Sequence, residues 1–398
     1  MAGLDLHVPG DHTLPARFHG PSRAPAKPRR RRTGLILGLT AGAMSACILG
    51  GLQLAANLGY DDAAERFDSA VSNTESARGT LRDDAGELAE LSSDADGILA
   101  ADSGLLVSAD TKAAVADAVD EADDVLTDAT ATIEAPSPDA ASKPLWFWDL
   151  YPATAALDGG TSAARDLTDR IKSDDARVRA AGSATAETAL ALIGEAADGA
   201  GAFESAHISA KNDDVIALRD AATSAQDLSE VDQTTVDAFV ALDDAAERVV
   251  ASEQIELAEK SGPLLQVRLE IEAFARSLAP GVLLEFDWNP IVNGAGENGS
   301  MGGLTTWWWS TPGHAQIALS NSVAEQWPSI SSKSLVAHEV GHAISVKCQG
   351  MYDSSTQDSI EKWATAWAIS MGYTDDANGV WAYGYPPQSY IDAAAGCR

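Results

Sequence analysis

Positive charge is scarce in this chain of 398 residues, where 27 Lys and Arg residues stand against 59 Asp and Glu residues, for a net charge of −32. The basic residues are also unevenly placed. Residues 1–59 hold seven of them against two Asp, a net +5 that leaves −37 for the remainder. An acidic surface repels polyanions. The composition therefore argues against nucleic-acid binding and against adhesion to anionic lipid headgroups.

Charge is absent altogether from residues 34–57, an apolar run of 24 residues. A helix of this length spans a bilayer, because about 20 residues cover its hydrocarbon core. We therefore predict a transmembrane helix at 34–57 after a disordered tail at 1–33. A cleaved signal peptide is one alternative. A lipoprotein signal ending at Cys47 is another.

The charges that flank this run predict its orientation. Four consecutive Arg residues end the tail at Arg32, whereas Asp61 and Asp62 follow the run. Basic residues remain on the cytoplasmic side of a membrane. We therefore expect a single-pass protein of the cell membrane, with a cytoplasmic tail and everything after residue 60 outside.

Aromatic residues make up only 6% of the chain, and the long middle part is rich in Ala and Asp. Apolar residues spaced by three, four or seven predict an acidic helical stalk or bundle over residues 58–280. Both a coiled coil and a helical bundle or hairpin satisfy this spacing. The predicted helical stretches are 60–134, 161–205, 213–224 and 232–279. A turn at 102–104 divides the first stretch, and a Pro-rich break at 135–152 follows it.

The Pro-rich break carries the densest aromatic patch of this half: Trp146, Phe147, Trp148 and Tyr151. Such a patch either packs on the adjacent helices or forms a site for a partner. Both interpretations remain open from the sequence.

Histidine is scarce as well, and none follows His342. Two of the seven form the motif His338-Glu339-Val340-Gly341-His342 within an apolar stretch. On a helix, residues four apart leave the same face, so the two imidazoles can share one Zn²⁺. Glu339 can then act as general base. The alternative is a surface helix with two histidines, but the apolar neighbours predict burial, which is costly without a partner for these groups.

The residues after the motif limit which side chain could be the third protein ligand. The metzincin pattern HExxHxxGxxH fails, because Ser345 and Cys348 occupy its Gly and third His positions. The next candidates are acidic: Asp353, Asp358 and Glu361.

Glu361 opens the run Glu-x-x-Ala-x-x-aromatic-Ala, 19 residues after His342. HExxH with this downstream run resembles the small gluzincin metallopeptidases, which have the minimal zincin fold, over about residues 281–373. The resemblance implies an α+β zincin-like metallopeptidase domain at 281–398 on the mostly helical ectodomain. It also implies a Zn²⁺ cofactor held by His338, His342 and Glu361, with Glu339 as base.

Two further implications concern neighbouring residues. The strand-like run 316–320 would edge the cleft and pair with the substrate backbone. Many gluzincins carry Asp four residues after the ligand Glu, in support of a zinc-bound His, where this chain has Thr365. Support for that His must then come from elsewhere, and metal affinity would be lower. Candidates for the oxyanion or proton donor, which the sequence does not rank, are Tyr373, Tyr383, Tyr385 and His314.

A Gly-rich loop and a tryptophan run precede the motif. The loop, 293–303, lacks the Lys-Ser/Thr of a phosphate loop and is expected at the surface or the lip of a cleft. If 305–310 is a strand, Trp307 and Trp309 face one way and Trp308 the other. One face would pack in the core, and the other could grip a peptide or glycan.

The three cysteines are Cys47, Cys348 and Cys397. Outside the membrane thiols can be oxidised, so we predict a disulfide between Cys348 and Cys397 that closes a loop around Glu361. Such a bridge would tie down the C-terminus of a small domain.

We expect a membrane-anchored, extracytoplasmic zinc peptidase that hydrolyses peptides or proteins. The first alternative is a catalytically weak zincin-fold module that binds partners at the cell surface. The second is a cell-envelope spacer whose acidic helices are themselves the function.

Overall fold

A computed structural model describes residues 33–398, with side chains from residue 42 onward. Apart from Thr33, the predicted cytoplasmic tail at 1–33 lies outside the described residues. The described chain is mostly helical with one small sheet. It divides into two compact units. One holds the described residues up to Ser69 together with Asp139–Ser162, and the other holds Ala70–Pro138 and Ala163–Arg398.

Helix α1 (Thr33–Ala101) is 69 residues long and contains the predicted membrane segment at its start. It is the one helix of the described chain that is long and apolar enough to cross a membrane. Most large apolar side chains in its first part are more than half exposed, as expected where lipid rather than protein surrounds a helix. They include Met44, Ile48, Leu49, Leu54 and Leu58.

The second unit begins with a helical bundle. The distal part of α1, helix α2 (Ala109–Ile133) and the later part of α3 (Phe147–Ala206) share one apolar core. Small and branched residues fill it, among them Leu81, Leu88, Ala122, Val125, Leu167 and Ile171. The predicted turn at 102–104 is confirmed, since α1 ends at Ala101 and Gly104 has a φ of +78°. This core favours the bundle over a two-stranded coiled coil.

Two predicted helix limits were wrong. Helix α3 begins at Phe147 rather than 161, with Pro152 inside its second turn, where the missing N–H removes only one backbone hydrogen bond. The run 232–279 is two helices, α5 (Gln233–Glu259) and α6 (Leu265–Leu278). Gly262, with a φ of +114°, and the proline that follows it end α5 and prevent a continuous helix. Helix α4 (Asn212–Gln226) precedes them.

The sheet has three strands, β1 (Leu283–Asn289), β2 (Gly303–Trp307) and β3 (His314–Ser320), in the order β1-β3-β2. Strand β3 is parallel to β1 and antiparallel to β2. The prediction that 316–320 edges the cleft was therefore wrong, because β3 is the central strand and β1 and β2 form the edges. Strand order depends on nonlocal pairing, which periodicity along one strand does not encode.

Five helices complete the chain beside two short 3-10 turns: α7 (Asn321–Glu325), α8 (Ile330–Ile344), α9 (Gln357–Ser370), α10 (Val380–Tyr383) and α11 (Gln388–Ala394). The sheet, α8 and α9 enclose a core in which Phe286, Trp363 and Trp367 are fully buried. Ile271 of α6 belongs to the same core. The core thus extends across residue 281, where the sequence placed a domain boundary.

A buried ionic cluster joins α5, α6 and β1. Lys260 Nζ lies 3.3 Å from carboxylate oxygens of both Glu256 and Glu272. Arg276 also pairs with Glu272, at 3.3 Å, and Trp288 Nε1 donates to it at 3.0 Å. Buried charges persist only when paired in this way. The cluster therefore fixes how α5 and α6 meet the sheet.

The predicted disulfide is confirmed: Cys348 and Cys397 are bonded, with their Cα atoms 6.0 Å apart. Trp367 Nε1 donates to the carbonyl oxygen of Cys397 at 2.9 Å, which also holds the C-terminus against α9. Cys47 is free and exposed.

Replacing both Cys348 and Cys397 with Ala should lower the free energy of unfolding by about 4 kcal/mol, because the bridge closes a loop of 49 residues in the unfolded chain. Denaturant unfolding followed by Trp fluorescence measures this part of the chain, since eight of the ten Trp lie at 288–398. Cys47→Ala is the control and should unfold like wild type. A double variant with an unchanged midpoint would contradict the expectation.

Candidate metal centre

Helices α8 and α9 approach each other closely at Gly341, and this approach assembles the site. Each helix begins at a hydroxyl cap, Ser329 for α8 and Thr356 for α9, whose side chain accepts a backbone N–H of the first turn. A Cβ at Gly341 would lie 2.7 Å from the carbonyl oxygen of Ala364. Only glycine permits this separation, so the fourth residue of the HExxH motif sets how near α9 lies.

Three side chains converge across this contact. Nε2 of His338 lies 3.2 Å from Oε2 of Glu361, and Nε2 of His342 lies 3.1 Å from the same oxygen. The three candidate ligand atoms all lie within 4.8 Å of one another. Each residue is at most 8% exposed. The predicted triad is therefore brought together, in a buried group that could bind a metal ion.

The spacing of these atoms is near that expected around zinc. Ligand atoms about 2.0–2.2 Å from a tetrahedral Zn²⁺ lie about 3.3–3.6 Å from each other, slightly more than the 3.2 and 3.1 Å between the two imidazole nitrogens and Glu361. Three protein ligands leave one position open, as in catalytic rather than structural zinc sites. The donor set of two imidazoles and one carboxylate also suits other divalent transition metals.

The ionisation of Glu361 suits a ligand. Burial raises the pKa of Glu361, but its hydrogen bonds to His338 and His342 outweigh burial and hold the pKa well below the usual range. The side chain is therefore a carboxylate at neutral pH, which is the form that binds a cation.

Thr365 supports His338, so the expectation that support must come from elsewhere was wrong. Its hydroxyl donates to the carbonyl oxygen of Glu361 at 2.9 Å and lies 3.3 Å from Nδ1 of His338. With its proton given to that carbonyl, the hydroxyl is left as an acceptor for an Nδ1–H of His338. In the tautomer that carries this proton, Nε2 of His338 would be available to a metal ion, which would replace the hydrogen bond between Nε2 and Glu361.

His342 is held by packing instead. Its ring stacks on Trp307, with centroids 5.3 Å apart and planes within 13°. Nδ1 of His342 is buried and has no hydrogen-bond partner among the described residues. Trp309 meets Trp307 edge to face at 6.0 Å, while Trp308 stacks on His314. The predicted strand over 305–310 was too long, because β2 ends at Trp307.

Glu339 lies beneath the edge strand β2. Thr305 donates a hydrogen bond to its Oε2 at 2.7 Å, and a Cβ at Gly303 would lie 2.7 Å from its Cδ. Burial raises the pKa of Glu339, against the opposing influence of His338 and of the hydrogen bond from Thr305. A raised pKa makes the carboxylate a stronger proton acceptor.

Of the four candidate donors, Tyr383 is the one whose ring lies against the triad. It stacks over His338 with centroids 6.0 Å apart and planes within 12°. Burial and the carboxylates of Glu361 and Glu339 raise the pKa of Tyr383, so its hydroxyl stays protonated at neutral pH. The other three lie elsewhere: Tyr373 packs edge-on against Phe274, Tyr385 is 66% exposed, and His314 stacks on Trp308.

A tight turn at Gly379 places α10, and with it Tyr383, over His338. Gly379 has a φ of +99°, and a Cβ there would lie 2.7 Å from Nδ1 of His338. Both the backbone conformation and the contact therefore require glycine. Four residues contribute to the site but were missed by sequence reasoning: Thr305, Trp307, Gly341 and Gly379. Only Gly341 carried a signal, through its place inside the motif.

No family model, curated protein or solved structure matches this chain.

Replacing Thr365 with Val should weaken Zn²⁺ binding about 10-fold or more, because the Nδ1–H of His338 loses its acceptor and the imidazole its fixed tautomer. Thr365→Ser keeps the hydroxyl and should bind nearly as wild type. Competition titration with a fluorescent zinc indicator measures both affinities. Equal affinity of the Val variant and wild type would show that Thr365 has no part in metal binding.

Proposed function

We propose that this chain is a membrane-anchored, zinc-dependent peptidase that acts outside the cytoplasm. The observation that carries the proposal is the convergence of His338, His342 and Glu361 with Glu339 beside them. This combination of an HExxH helix and a distal Glu resembles the small gluzincin peptidases, and α8, α9 and the small sheet are the elements in which we infer a zincin-like domain.

In this proposal each group of the site has one task. A Zn²⁺ held by His338, His342 and Glu361 would supply a Lewis acid that polarises a carbonyl and lowers the pKa of a bound water to about 7. Glu339 accepts the proton of the attacking water as the new C–O bond forms. It then gives this proton to the amide nitrogen as the C–N bond breaks.

Tyr383 is the proposed oxyanion donor. Its position over His338 and its raised pKa support the assignment, because a protonated hydroxyl can donate to the negative charge that develops on the carbonyl oxygen. An extended substrate would pair with β2, which among the described residues pairs with no strand other than β3 and so keeps one edge free.

Two features support the proposed location. The apolar start of α1 has the length and exposure expected of a membrane span. The disulfide between Cys348 and Cys397 is the kind of bond that persists in oxidising compartments. Together with the basic cluster before α1, they favour a cytoplasmic N-terminus and an extracytoplasmic C-terminal part.

A binding module without useful catalysis is the competing function. The observation that favours it is burial, since His338, Glu339 and His342 are each only 5% exposed and Trp307 and Tyr383 cover the two imidazoles. The raised pKa of Glu339 favours the enzyme, because a binding module has no need of a strong buried base.

Metal analysis tests the centre itself. Purified wild-type chain should hold about one Zn²⁺. His342→Ala should lose it, because the two remaining protein ligands do not bind the ion tightly enough to replace its hydrating water. The control is His314→Ala, which removes a histidine outside the triad and should keep the metal. Retention of zinc by His342→Ala would refute the assignment of the ligands.

Glu339→Gln should keep its zinc and its fold but lose at least about 10²–10⁴-fold in hydrolysis, because the base acts only in the chemical step. Release of amino groups from a mixed peptide library measures the rate. Glu325→Gln on α7 is the matched control and should be as active as wild type. If zinc-loaded wild type cleaves nothing in the library, the binding module becomes the better hypothesis.

A topology measurement tests the location separately. A reporter fused after Arg398 should be digested by protease added to intact cells, whereas one fused after Arg32 should be protected. Protection of the C-terminal reporter would place the metal centre in the cytoplasm and contradict the proposed location.

A further inference from the structure

Four large apolar side chains are exposed where α3 begins, a segment we term the aromatic turn (145–151). Leu145 is 85% exposed, Trp146 57%, Trp148 56% and Tyr151 53%. Trp146 and Trp148 stack on each other, with centroids 5.2 Å apart and planes within 8°. Packing of the patch on the adjacent helices, one of the two sequence-based interpretations, is therefore wrong for Trp146, Trp148 and Tyr151, whereas Phe147 is half-buried.

Hydrogen bonds fix the level of the aromatic turn along α1. Gln53 donates to the carbonyl oxygen of Leu145 at 3.0 Å and accepts from the backbone N–H of Phe147 at 2.9 Å. Further along, Arg66 pairs with Asp158 at 3.0 Å. The residues are separated by 94 positions in the Gln53–Phe147 pair and by 92 in the Arg66–Asp158 pair. The two helices therefore run in the same direction with nearly matching rise.

This register places the turn at the end of the uncharged run. Gln53 lies four residues inside that run, about 6 Å before its end at residue 57. An offset of 92–94 residues puts Tyr151 level with residues 57–59. The first charge beyond the run, Asp61, pairs with Lys143 at 2.6 Å. The aromatic turn thus spans the boundary between apolar and charged surface.

We propose that the aromatic turn is a second membrane contact, inserted into the outer interface of the bilayer that α1 crosses. This proposal rests on the proposed membrane span of α1. Trp and Tyr favour this zone because one part of the ring is apolar while the N–H or O–H finds water or a headgroup. The exposed Leu145, at the tip of the turn, would lie deepest. A second contact beside the span would limit the tilt and rotation of α1.

The position of the aromatic turn along α1, beside the end of the uncharged run, favours lipid over a protein partner. A protein that bound Trp146 and Trp148 would have to occupy the layer in which the headgroups around α1 stand. Asp149 is the one charged residue of the aromatic turn and is exposed. The other exposed side chains, Leu145, Trp146, Trp148 and Tyr151, carry no charge, and this mixture suits the polar–apolar boundary of a bilayer. The inference concerns the anchor only and is independent of the peptidase chemistry.

Depth-dependent quenching tests the contact in the full chain. Protein reconstituted into phosphatidylcholine vesicles is compared with and without lipids brominated near the top of the acyl chains, using Trp fluorescence. The test variant is W146F/W148F. The matched control, W308F/W309F, removes two tryptophans of the C-terminal part that are 41% and 40% exposed. Flotation of the vesicles first shows whether each protein is membrane-bound.

We expect brominated lipid to quench part of the wild-type emission, W146F/W148F to lose that quenching, and W308F/W309F to retain it. Equal quenching in wild type and W146F/W148F, or none in either, would overturn the contact. So would unquenched but blue-shifted emission from Trp146 and Trp148, which would show that a second copy or another protein covers them. Failure to float would overturn the span as well, whereas flotation without quenching overturns the contact alone.

Discussion

The close approach of α8 to α9 at Gly341 is the constraint on which the candidate centre depends. The HExxH motif places two imidazoles on one face of a helix, but it does not determine what they meet. Because Gly341 has no side chain, the backbone of Ala364 can lie against it, and Glu361, one turn earlier on α9, reaches both histidines. Any larger residue would separate the helices and remove the shared carboxylate.

That approach also separates the roles of two neighbouring carboxylates. Glu361 faces two imidazoles, which lower its pKa, while Glu339 lies in a buried position under β2, which raises its pKa. Groups whose environments shift their pKa values in opposite directions are suited to different tasks. In the proposed peptidase, the carboxylate with the lowered pKa would be the ligand and the one with the raised pKa the base. The electrostatics thus support the proposed roles independently of the spacing of the motif.

How far the sequence predicted this arrangement depends on how local each feature is. The two histidines follow from helical spacing, and the break at Gly262 was readable from the chain. Thr365 was also readable, because it lies one turn after Glu361 on the same face, but comparison with an Asp obscured what a hydroxyl can do. The central position of β3 was not readable. Nor were the contacts that β2 makes with the centre through Thr305 and Trp307, since these arise only when separate segments pair and pack.

The disulfide and the triad act on the same part of the chain. The segment after Cys348 carries Glu361, Thr365 and Tyr383, whereas both histidines and Glu339 belong to α8, ahead of the bridge. The bridge brings the chain's end back to the end of α8, where the sulfur of Cys397 lies 3.7 Å from the carbonyl oxygen of Ile344. A metal ion shared by α8 and α9 would be a second connection between the same two segments. Each connection lowers the entropic cost of the other, because a loop closed once has less freedom left to lose. A deeply buried polar centre can therefore form in a domain whose sheet has only three strands.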